Sequence, residues 1–549
     1  MNGRGAKTPH NTPVIWFHRF GLWLLFAVLI ILLGAALRFY QLGRDSLWLD
    51  EIVTQQITQH NVRQMLNLVG HYDDHPPLFY LIEYQNRLMG FSDFAARLPS
   101  AIAGILTIPV VIVLARRLWG APIGLMAGLL LALWPTHLHF SQEARQYALL
   151  MLFISIATYW LYRGVSDGGI AAWIGYILSS VGALYSHNSA FLWTAGQIIF
   201  VVVMGLLSWR EESVAGMKRY VRRVVPPFFL ALFLIALFYL PWAPHLLIQS
   251  KRLIRGVSLP AGAAGGFAYY DMLKRSLRFF AEKNVLFEGV FIALTLVGFI
   301  VGALQRRWAA LILVVSSSIA PFLLAGIISS SHFFSGRYLF PILLPIILLS
   351  AEAFRPAFSL VASSLNRSLR AQAFGMIGIF FVVTALALFP IRGYYHRGKE
   401  GWHDAARYLA REMGPDDLIL VDGMLLGKVG DAGRVQQALG YYLPDKELLP
   451  VEPDTAQTLL DHPRPGATVW GVLWYQGRLK SRKGLLSDID FRDYPSLVVL
   501  SLKHPSGDLR RDAVEILEAM LQIQPYPESK PDMQALLAEL NRALGREAP

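Results

Sequence analysis

The chain has 549 residues, of which 54% are hydrophobic and 16% are charged, and its mean hydropathy is +0.42. Soluble domains carry roughly 25% charged residues, so this composition excludes a large soluble enzyme and indicates a polytopic membrane protein. The formal net charge is +12. Its cations lie in short clusters between apolar segments, however, which is typical of membrane topology and not of nucleic-acid binding. The absence of cysteine excludes disulfides and thiolate metal sites.

Apolar segments recur through roughly the first 390 residues, each long enough to cross a hydrocarbon core of ~30 Å. The first follows a basic N-terminus and lacks a small-residue cleavage site, so we expect an uncleaved anchor. About eleven membrane spans are predicted, near 16–38, 96–115, 121–139, 148–164, 171–186, 189–208, 225–242, 286–304, 309–329, 338–353 and 373–390.

The clusters of lysine and arginine fall in alternate loops, on the same side as the basic N-terminus. By the positive-inside rule this side is cytoplasmic, so we expect a multi-pass protein of the plasma (inner) membrane with a cytoplasmic N-terminus. The opposite segments are then extracytoplasmic: 39–95, 140–147, 187–188, 243–285, 330–337 and everything after 391.

Two outer segments are too long to be simple connections. The first, 39–95, contains an apolar stretch from Pro77 to Met89 that suits an amphipathic helix on the membrane surface. The second, 392–549, is soluble in composition and predicts a small α/β domain. We therefore predict a transmembrane catalytic domain over 1–391 and an extracytoplasmic α/β domain over 392–549. Strands are expected at Leu418–Asp422, Ala467–Trp474 and Leu497–Leu502, and helices at Trp402–Met413, Arg511–Gln522 and Asp532–Leu544.

The first candidate site is the acidic pair Asp50-Glu51, a few residues beyond the first apolar segment. The pair is embedded among Trp48, Ile52 and other apolar residues, where free carboxylates are unfavourable. Burial raises the pKa of a carboxyl group and a neighbouring cation such as Arg44 lowers it, so such a pair can be tuned as a general base. An ordinary solvated acidic pair is the alternative.

A second candidate is the cluster Asp73, Asp74 and His75, which precedes two prolines. Proline and aspartate both favour the start of a helix, so a plain helix N-terminus is one interpretation. Such an N-terminus also binds anions, and His75 could donate to a phosphate there. A histidine with two aspartates is alternatively a ligand set for a divalent cation.

The outer loop between the third and fourth spans contains Glu143, Arg145 and Tyr147. If this segment is helical, Glu143 and Tyr147 share one face and Arg145 points elsewhere. Capped helix ends with ordinary interfacial charges are the alternative to a functional role.

Two other outer positions carry groups that suit an anion. His187 interrupts two apolar segments, and Arg337 with Tyr338 opens the tenth span. Arginine favours planar, bidentate recognition of phosphate. Carboxylates from one outer loop and cations from several others thus predict a general base beside a pocket for a membrane-embedded phosphate.

These motifs together resemble the GT-C superfamily of glycosyltransferases, specifically the family of the protein O-mannosyltransferases and the aminoarabinose transferases of lipid A. The resemblance covers roughly the first 390 residues and the tail only loosely. The matching pieces are Asp50-Glu51, the stretch from Asp74 to Tyr80, Ala96–Ser100, Ser141–Leu149 and Gly336–Tyr338.

The resemblance implies that a sugar moves from a polyprenyl monophosphate to an acceptor hydroxyl at the outer face, with inversion. Asp50 would be the base and Glu51 its partner. The donor and phosphate ligands would be Asp74, His75, His187, Arg337 and Tyr338, with Asp73, Glu143, Arg145 and Tyr147 as supporting candidates.

The expected partners are a polyprenyl-phosphate-linked sugar, a lipid, protein or glycan acceptor and the bilayer, with no nucleic acid. No metal is strictly required for this chemistry, but relatives differ and a divalent metal stays open. Two alternatives also stay open: a flippase or transporter of polyprenyl-linked glycans, and an oligosaccharide ligase or polymerase with a diphosphate-linked donor.

Overall fold

We analysed a computed structural model of the chain. It describes residues 13–73, 75–87, 90, 92–255, 274, 276–281, 284–328, 336–364, 369–396, 400–422, 432–452, 454–461, 467–474, 489–494, 497–506, 508–523 and 530–545. The chain divides into two compact units. The first comprises Met1–Leu42, Ile57–Phe91 and Ala95–His396, and the second comprises Gly43–Gln56, Ser92–Phe94 and Arg397–Pro549.

Before residue 397 the described chain is helical. Its helices are Pro13–Phe39, Leu49–Thr58, Val62–Tyr72, Leu78–Asn86, Asp93–Trp119, Ala121–Leu133, Pro135–Ser141, Tyr147–Ser166, Ile170–Ser186, Ala190–Tyr239, Ala243–Arg255, Val285–Leu304, Trp308–Ile328, Leu343–Glu352, Arg355–Ser364 and Leu369–His396, with 3₁₀ turns at Leu240–Trp242 and Gly336–Ile342. Within the described residues, nine helical segments are long and apolar enough to cross a membrane, or ten with a bent pair. The predicted span 171–186 is a shorter apolar helix, Ile170–Ser186.

The bent pair is the third predicted span, in which Ala121–Leu133 and Pro135–Ser141 meet at 63°. Proline lacks the N–H that would continue the helix and forces the preceding residue into an extended conformation. Trp134 adopts that conformation, with φ −74° and ψ 119°. The carbonyls of Leu131 and Ala132, next to the break, accept from the buried Arg38 guanidinium at 3.3 and 3.1 Å. The carbonyl groups at the break are thereby hydrogen-bonded inside the protein, as an apolar environment requires.

The run Ala190–Tyr239 contains two of the spans. A straight helix would separate Val201 from Tyr220 by about 28 Å. The Tyr220 hydroxyl nevertheless donates to the Val201 carbonyl at 2.8 Å. The run therefore folds back on itself, and the basic segment around Arg210 lies at the turn between two antiparallel spans.

The second unit contains a five-stranded sheet. Its strands are β1 (Leu418–Asp422), β2 (Leu448–Pro450), β3 (Val469–Trp474), β4 (Ile489–Tyr494) and β5 (Leu497–Leu502), in the order β2-β1-β3-β5-β4. The β1 strand pairs in parallel with β2 and β3, while β5 is antiparallel to β3 and β4. The helices of this unit after residue 397 are Trp402–Glu412, Ala432–Tyr442, Thr455–Asp461, Leu509–Ile523 and Lys530–Ala543.

The predicted fold class is confirmed: a polytopic helical membrane protein with a small α/β unit at its C-terminal end. The helix predicted from Pro77 is present as Leu78–Asn86, with Phe79 and Tyr80 buried. The assignment of residues 1–391 as the catalytic domain and of 392–549 as a separate extracytoplasmic domain stays a prediction. The second unit differs from the predicted C-terminal domain in that it also includes residues 43–56 of the first predicted outer loop.

Gly298 gives a test of the helix packing. A Cβ atom at this position would lie 1.8 Å from the Leu349 carbonyl oxygen, whereas a Cβ at Gly289 of the same helix would meet nothing within 4 Å. We expect Gly298→Ala to lower the free energy of unfolding by about 1–3 kcal/mol through overpacking. Gly289→Ala should raise it by about 0.5–1 kcal/mol, because alanine favours the helix. Thermal unfolding of both purified variants shows whether the unfolding temperature falls in Gly298→Ala and rises in Gly289→Ala. Changes in the same direction would contradict this packing.

Candidate active site

The first unit gathers the predicted anion ligands around one buried imidazole, that of His187. This residue follows the helix Ile170–Ser186 and is 4% exposed. Its ring centroid lies 5.0 Å from that of His75, 5.6 Å from that of Tyr147 and 5.4 Å from that of Tyr338. Four segments that are distant in sequence thus meet at this ring.

Two arginines face the same place. Burial lowers the pKa of both His75 and His187 well below the ordinary histidine value, and the positive charges of Arg145 and Arg337 lower each pKa further. Both imidazoles are therefore neutral at physiological pH. The Arg337 guanidinium also lies 5.8 Å from the centroid of the Tyr338 ring. The site thus combines positive charge with neutral hydrogen-bond donors.

The tautomer of His187 follows from its neighbours. The Nδ1 atom accepts from the backbone N–H of Ser189 at 3.0 Å, so a neutral ring carries its proton on Nε2. This Nε2 is buried and has no hydrogen-bond partner among the described residues, and the same is true of His75 Nδ1 and the Tyr147 hydroxyl. Buried polar atoms are normally satisfied. Three such atoms at one place, beside two guanidinium groups, fit an oxyanion ligand.

The backbone that carries His75 is held by a polar frame. The Asp73 carboxylate accepts from the His75 backbone N–H at 3.0 Å and from the Tyr80 hydroxyl at 2.8 Å. The buried Gln249 amide donates to the Asp73 carbonyl at 3.1 Å and accepts from Asn188 at 3.1 Å. Asp73 is therefore a positioning residue, and Gln249 joins the His75 segment to the residue that follows His187.

Sequence reasoning missed Gln249, because nothing in the sequence relates it to Asp73, 176 residues earlier. Asp74 lies outside the described residues, so its predicted role stays a prediction. A divalent metal held by Asp73, Asp74 and His75 also stays untested. Within the described part of the chain, no group of three or more histidine, aspartate or glutamate side chains could hold a metal ion.

The segment between the third and fourth spans does not meet the condition under which Arg145 would point away, because it is not helical. Residues 142–146 form a turn, and the helix begins at Tyr147. Arg145 consequently does not point away from the site: it is 4% exposed and its charge acts on both His75 and His187. Glu143 instead lies 3.4 Å from His139 Nε2. The turn brings the arginine to the candidate site.

The acidic pair belongs to the second unit. Asp50 and Glu51 lie in the first turn of the helix Leu49–Thr58. Glu51 is fully buried and its carboxylate accepts from the Trp48 backbone N–H at 3.0 Å, which stabilises the start of the helix. Asp50 is partly exposed. Of the two acids, Asp50 is the more exposed.

A third acid, Glu400, anchors this helix to the rest of the second unit. Its carboxylate accepts from the Leu49 backbone N–H at 3.3 Å and from the indoles of Trp402 and Trp474 at 2.6 and 3.2 Å. Burial raises the pKa of Glu400, an effect that these three donors oppose. Sequence reasoning missed Glu400 because Leu49 lies 351 residues away.

The fold is shared with ArnT from Cupriavidus metallidurans. Its structure bound to undecaprenyl phosphate aligns with 87% of this chain and 98% of ArnT, with a TM-score of 0.52 at 16% identity. The apo state aligns with 86% and 97%, with a TM-score of 0.50 at 16% identity. An Archaeoglobus fulgidus oligosaccharyltransferase tethered to an acceptor peptide covers 79% of this chain and 64% of its own length, at a TM-score of 0.49 and 12% identity. No curated protein matches the chain.

The chain therefore has the fold of ArnT. Within it, residues 74–242 match the family model described as dolichyl-phosphate-mannose-protein mannosyltransferase. The resemblance to this group that the sequence predicted is confirmed, and the matched segment includes His75, Arg145, Tyr147 and His187.

The anchoring role of Glu400 can be measured by hydrogen exchange. We expect Glu400→Ala to increase the exchange rate of the backbone amides of residues 47–52 by at least about tenfold, because the Leu49 N–H loses a charged, buried acceptor. Glu412→Ala is the matched control, since Glu412 pairs with Arg411 on the surface of the same unit. Unchanged exchange at residues 47–52 in Glu400→Ala would contradict the anchoring.

The neutral histidines predict a pH dependence of stability. A histidine whose folded pKa is lowered contributes stability above its unfolded pKa of about 6.5 and loses it as the pH falls, because only the unfolded chain takes up the proton. Each such group contributes a slope of about 1.4 kcal/mol per pH unit below that value.

We therefore expect the thermal unfolding temperature of the wild type to decrease as the pH is lowered from about 7.5 to about 5.5. The decrease should be smaller in His187→Asn. Asparagine keeps an acceptor for the Ser189 N–H. The exposed His60, replaced by asparagine, is the control. An equal pH dependence of the unfolding temperature in the wild type and in His187→Asn would show that His187 is not held neutral.

Proposed function

We propose that the protein is an integral membrane glycosyltransferase that moves a sugar from a polyprenyl monophosphate to an acceptor hydroxyl. The observation that carries the proposal is the cluster around His187. There, Arg145 and Arg337 accompany three buried polar atoms that lack a hydrogen-bond partner among the described residues. Such a site suits a phosphate monoanion or dianion and gives bidentate donors for its oxygens.

In the proposed reaction, Asp50 removes the proton of the acceptor hydroxyl as the acceptor oxygen attacks the anomeric carbon. The bond between this carbon and the phosphate oxygen breaks, its electron pair stays on the phosphate, and inversion results. Arg337 and Arg145 stabilise the charge that develops on the leaving phosphate, and the Nε2–H of His187 donates to it. Glu51 supports the base by fixing the helix turn on which Asp50 lies.

The proposed orientation places the N-terminus in the cytoplasm and both Asp50 and the C-terminal α/β unit outside the plasma (inner) membrane. Its support is the clustering of arginine and lysine in alternate loops. A lipid-linked donor also requires no nucleotide at that face, where the acceptor is a lipid, a protein or a glycan.

The test uses the purified full chain in lipid nanodiscs. Undecaprenyl phosphate should raise the unfolding temperature of the wild type and of Asp50→Asn equally. Arg337→Gln should weaken lipid binding by at least about tenfold, because a charged hydrogen bond is lost. Arg210→Gln is the control, since this arginine lies at the exposed turn between two spans.

Transfer is then assayed with radiolabelled polyprenyl-phosphate sugars, with and without a metal chelator. Asp50→Asn should reduce transfer by about 10²–10⁴-fold, the usual contribution of a general base. Retained transfer in this variant would refute the assignment of the base. A preference for sugar donors linked to undecaprenyl diphosphate would favour the ligase or polymerase. Translocation of the sugar-lipid across the bilayer without transfer would favour the flippase.

A further inference from the structure

The second unit contains a concavity with a volume of about 560 Å³ and an excess of positive charge in its lining. It lies between the helix Trp402–Glu412 and the edge strand β4 (Ile489–Tyr494). Its polar lining residues are Asp404, Arg407, Tyr408, Arg411, Arg492 and Tyr494. Three guanidinium groups and one carboxylate therefore line a single concavity.

The periodicity of the two elements explains this lining. Asp404, Arg407, Tyr408 and Arg411 recur at the three- and four-residue spacing of one helix face. On β4, Arg492 and Tyr494 are two residues apart, so both project from the same face of the strand. The arginines are thus supplied by two elements that are far apart in the sequence.

The acidic neighbours only partly balance these charges. Arg407 lies 3.4 Å from Asp404, but both side chains are about two-thirds exposed, at 67% and 65%. Arg411 donates through two of its nitrogens to the Glu412 carboxylate, at 2.9 and 2.8 Å, and is 73% exposed. Exposed pairs of this kind are weak, so both guanidinium groups remain available to a stronger anion.

Arg492 is oriented by an aromatic ring. Its guanidinium carbon lies 4.1 Å from the centroid of the Tyr408 ring. Stacking on a ring restricts the side chain while it leaves the N–H groups at the edge of the guanidinium plane free to bind an oxyanion. A preorganised arginine of this kind loses less conformational entropy on binding.

We propose that this concavity, the Arg492 pocket, binds a phosphomonoester carried on a saccharide. The three guanidinium groups match the charge and the planar donor geometry that a phosphate requires. The tyrosine hydroxyls suit the hydroxyl groups of a sugar. We favour a saccharide over a membrane surface because two tyrosines, Tyr408 and Tyr494, line the concavity beside the arginines. The site lies in the second unit and its ligand binding does not depend on the transfer reaction.

The test measures binding of N-acetylglucosamine 6-phosphate to the full chain in phosphatidylcholine nanodiscs by calorimetry. All variants carry Arg337→Gln, which removes the candidate phosphate ligand of the first unit. We expect Arg492→Gln, and separately the double variant Arg407→Gln with Arg411→Gln, to weaken binding by about tenfold or more. Arg492→Lys should restore only part of the affinity, because lysine keeps the charge and loses the bidentate donors.

Arg542→Gln is the matched control, since this exposed arginine pairs with Glu539 three residues earlier, as Arg407 pairs with Asp404. Its affinity should equal that of the parent, and the unfolding temperatures of all variants verify that they are folded. The proposal is overturned by equal affinity in Arg492→Gln, or by equal affinity for inorganic phosphate, N-acetylglucosamine and the phosphosugar. It is also overturned if phosphatidylglycerol nanodiscs abolish phosphosugar binding, because the arginines would then bind lipid headgroups.

Discussion

The cost of burying polar groups away from water governs the first unit of this protein. In an apolar environment each N–H, carbonyl or hydroxyl needs a partner within the protein. The frame of Asp73, Gln249 and Asn188 meets this need for the backbone beside the candidate site. His75 Nδ1, His187 Nε2 and the Tyr147 hydroxyl do not have such partners among the described residues. Three of the buried atoms without such a partner therefore lie at one position, beside two cations, where an anionic ligand would satisfy them.

The helix Leu49–Thr58 shows how two adjacent acidic residues differ in burial and hydrogen bonding. Glu51 is buried and its carboxylate is used by the Trp48 N–H, so it serves the conformation of the helix. Asp50 is one position earlier on the helix, which turns its side chain by about 100° and leaves it partly exposed. Burial therefore indicates a structural role for Glu51, while Asp50 stays the candidate base.

Much of the architecture was predictable because its signals are local. A span needs about twenty apolar residues, and buried strands such as β1 and β5 appear as continuous apolar runs. The short β2 and the polar edge strand β4 lack that signal and were missed. The candidate anion ligands His75, His187 and Arg337 were recognisable as polar residues next to apolar segments. Gln249 and Glu400 were not, because their roles depend on partners 176 and 351 residues away. The direction of Arg145 was considered only on the condition that its segment is helical, and the structure does not meet that condition.

Arg38 has a consequence for the assembly of the protein. It belongs to the first helix, whereas the Leu131 and Ala132 carbonyls that it binds are synthesised more than ninety residues later. Before those residues are made, the guanidinium lacks these two carbonyl partners, and the Gly34 carbonyl of its own helix accepts from it at 2.9 Å. Its position one residue before the end of the helix Pro13–Phe39 allows the guanidinium to reach the lipid headgroups in the meantime. The arginine can bind the Leu131 and Ala132 carbonyls only after the broken span has been made, so its final set of hydrogen bonds forms after the first helix has been synthesised.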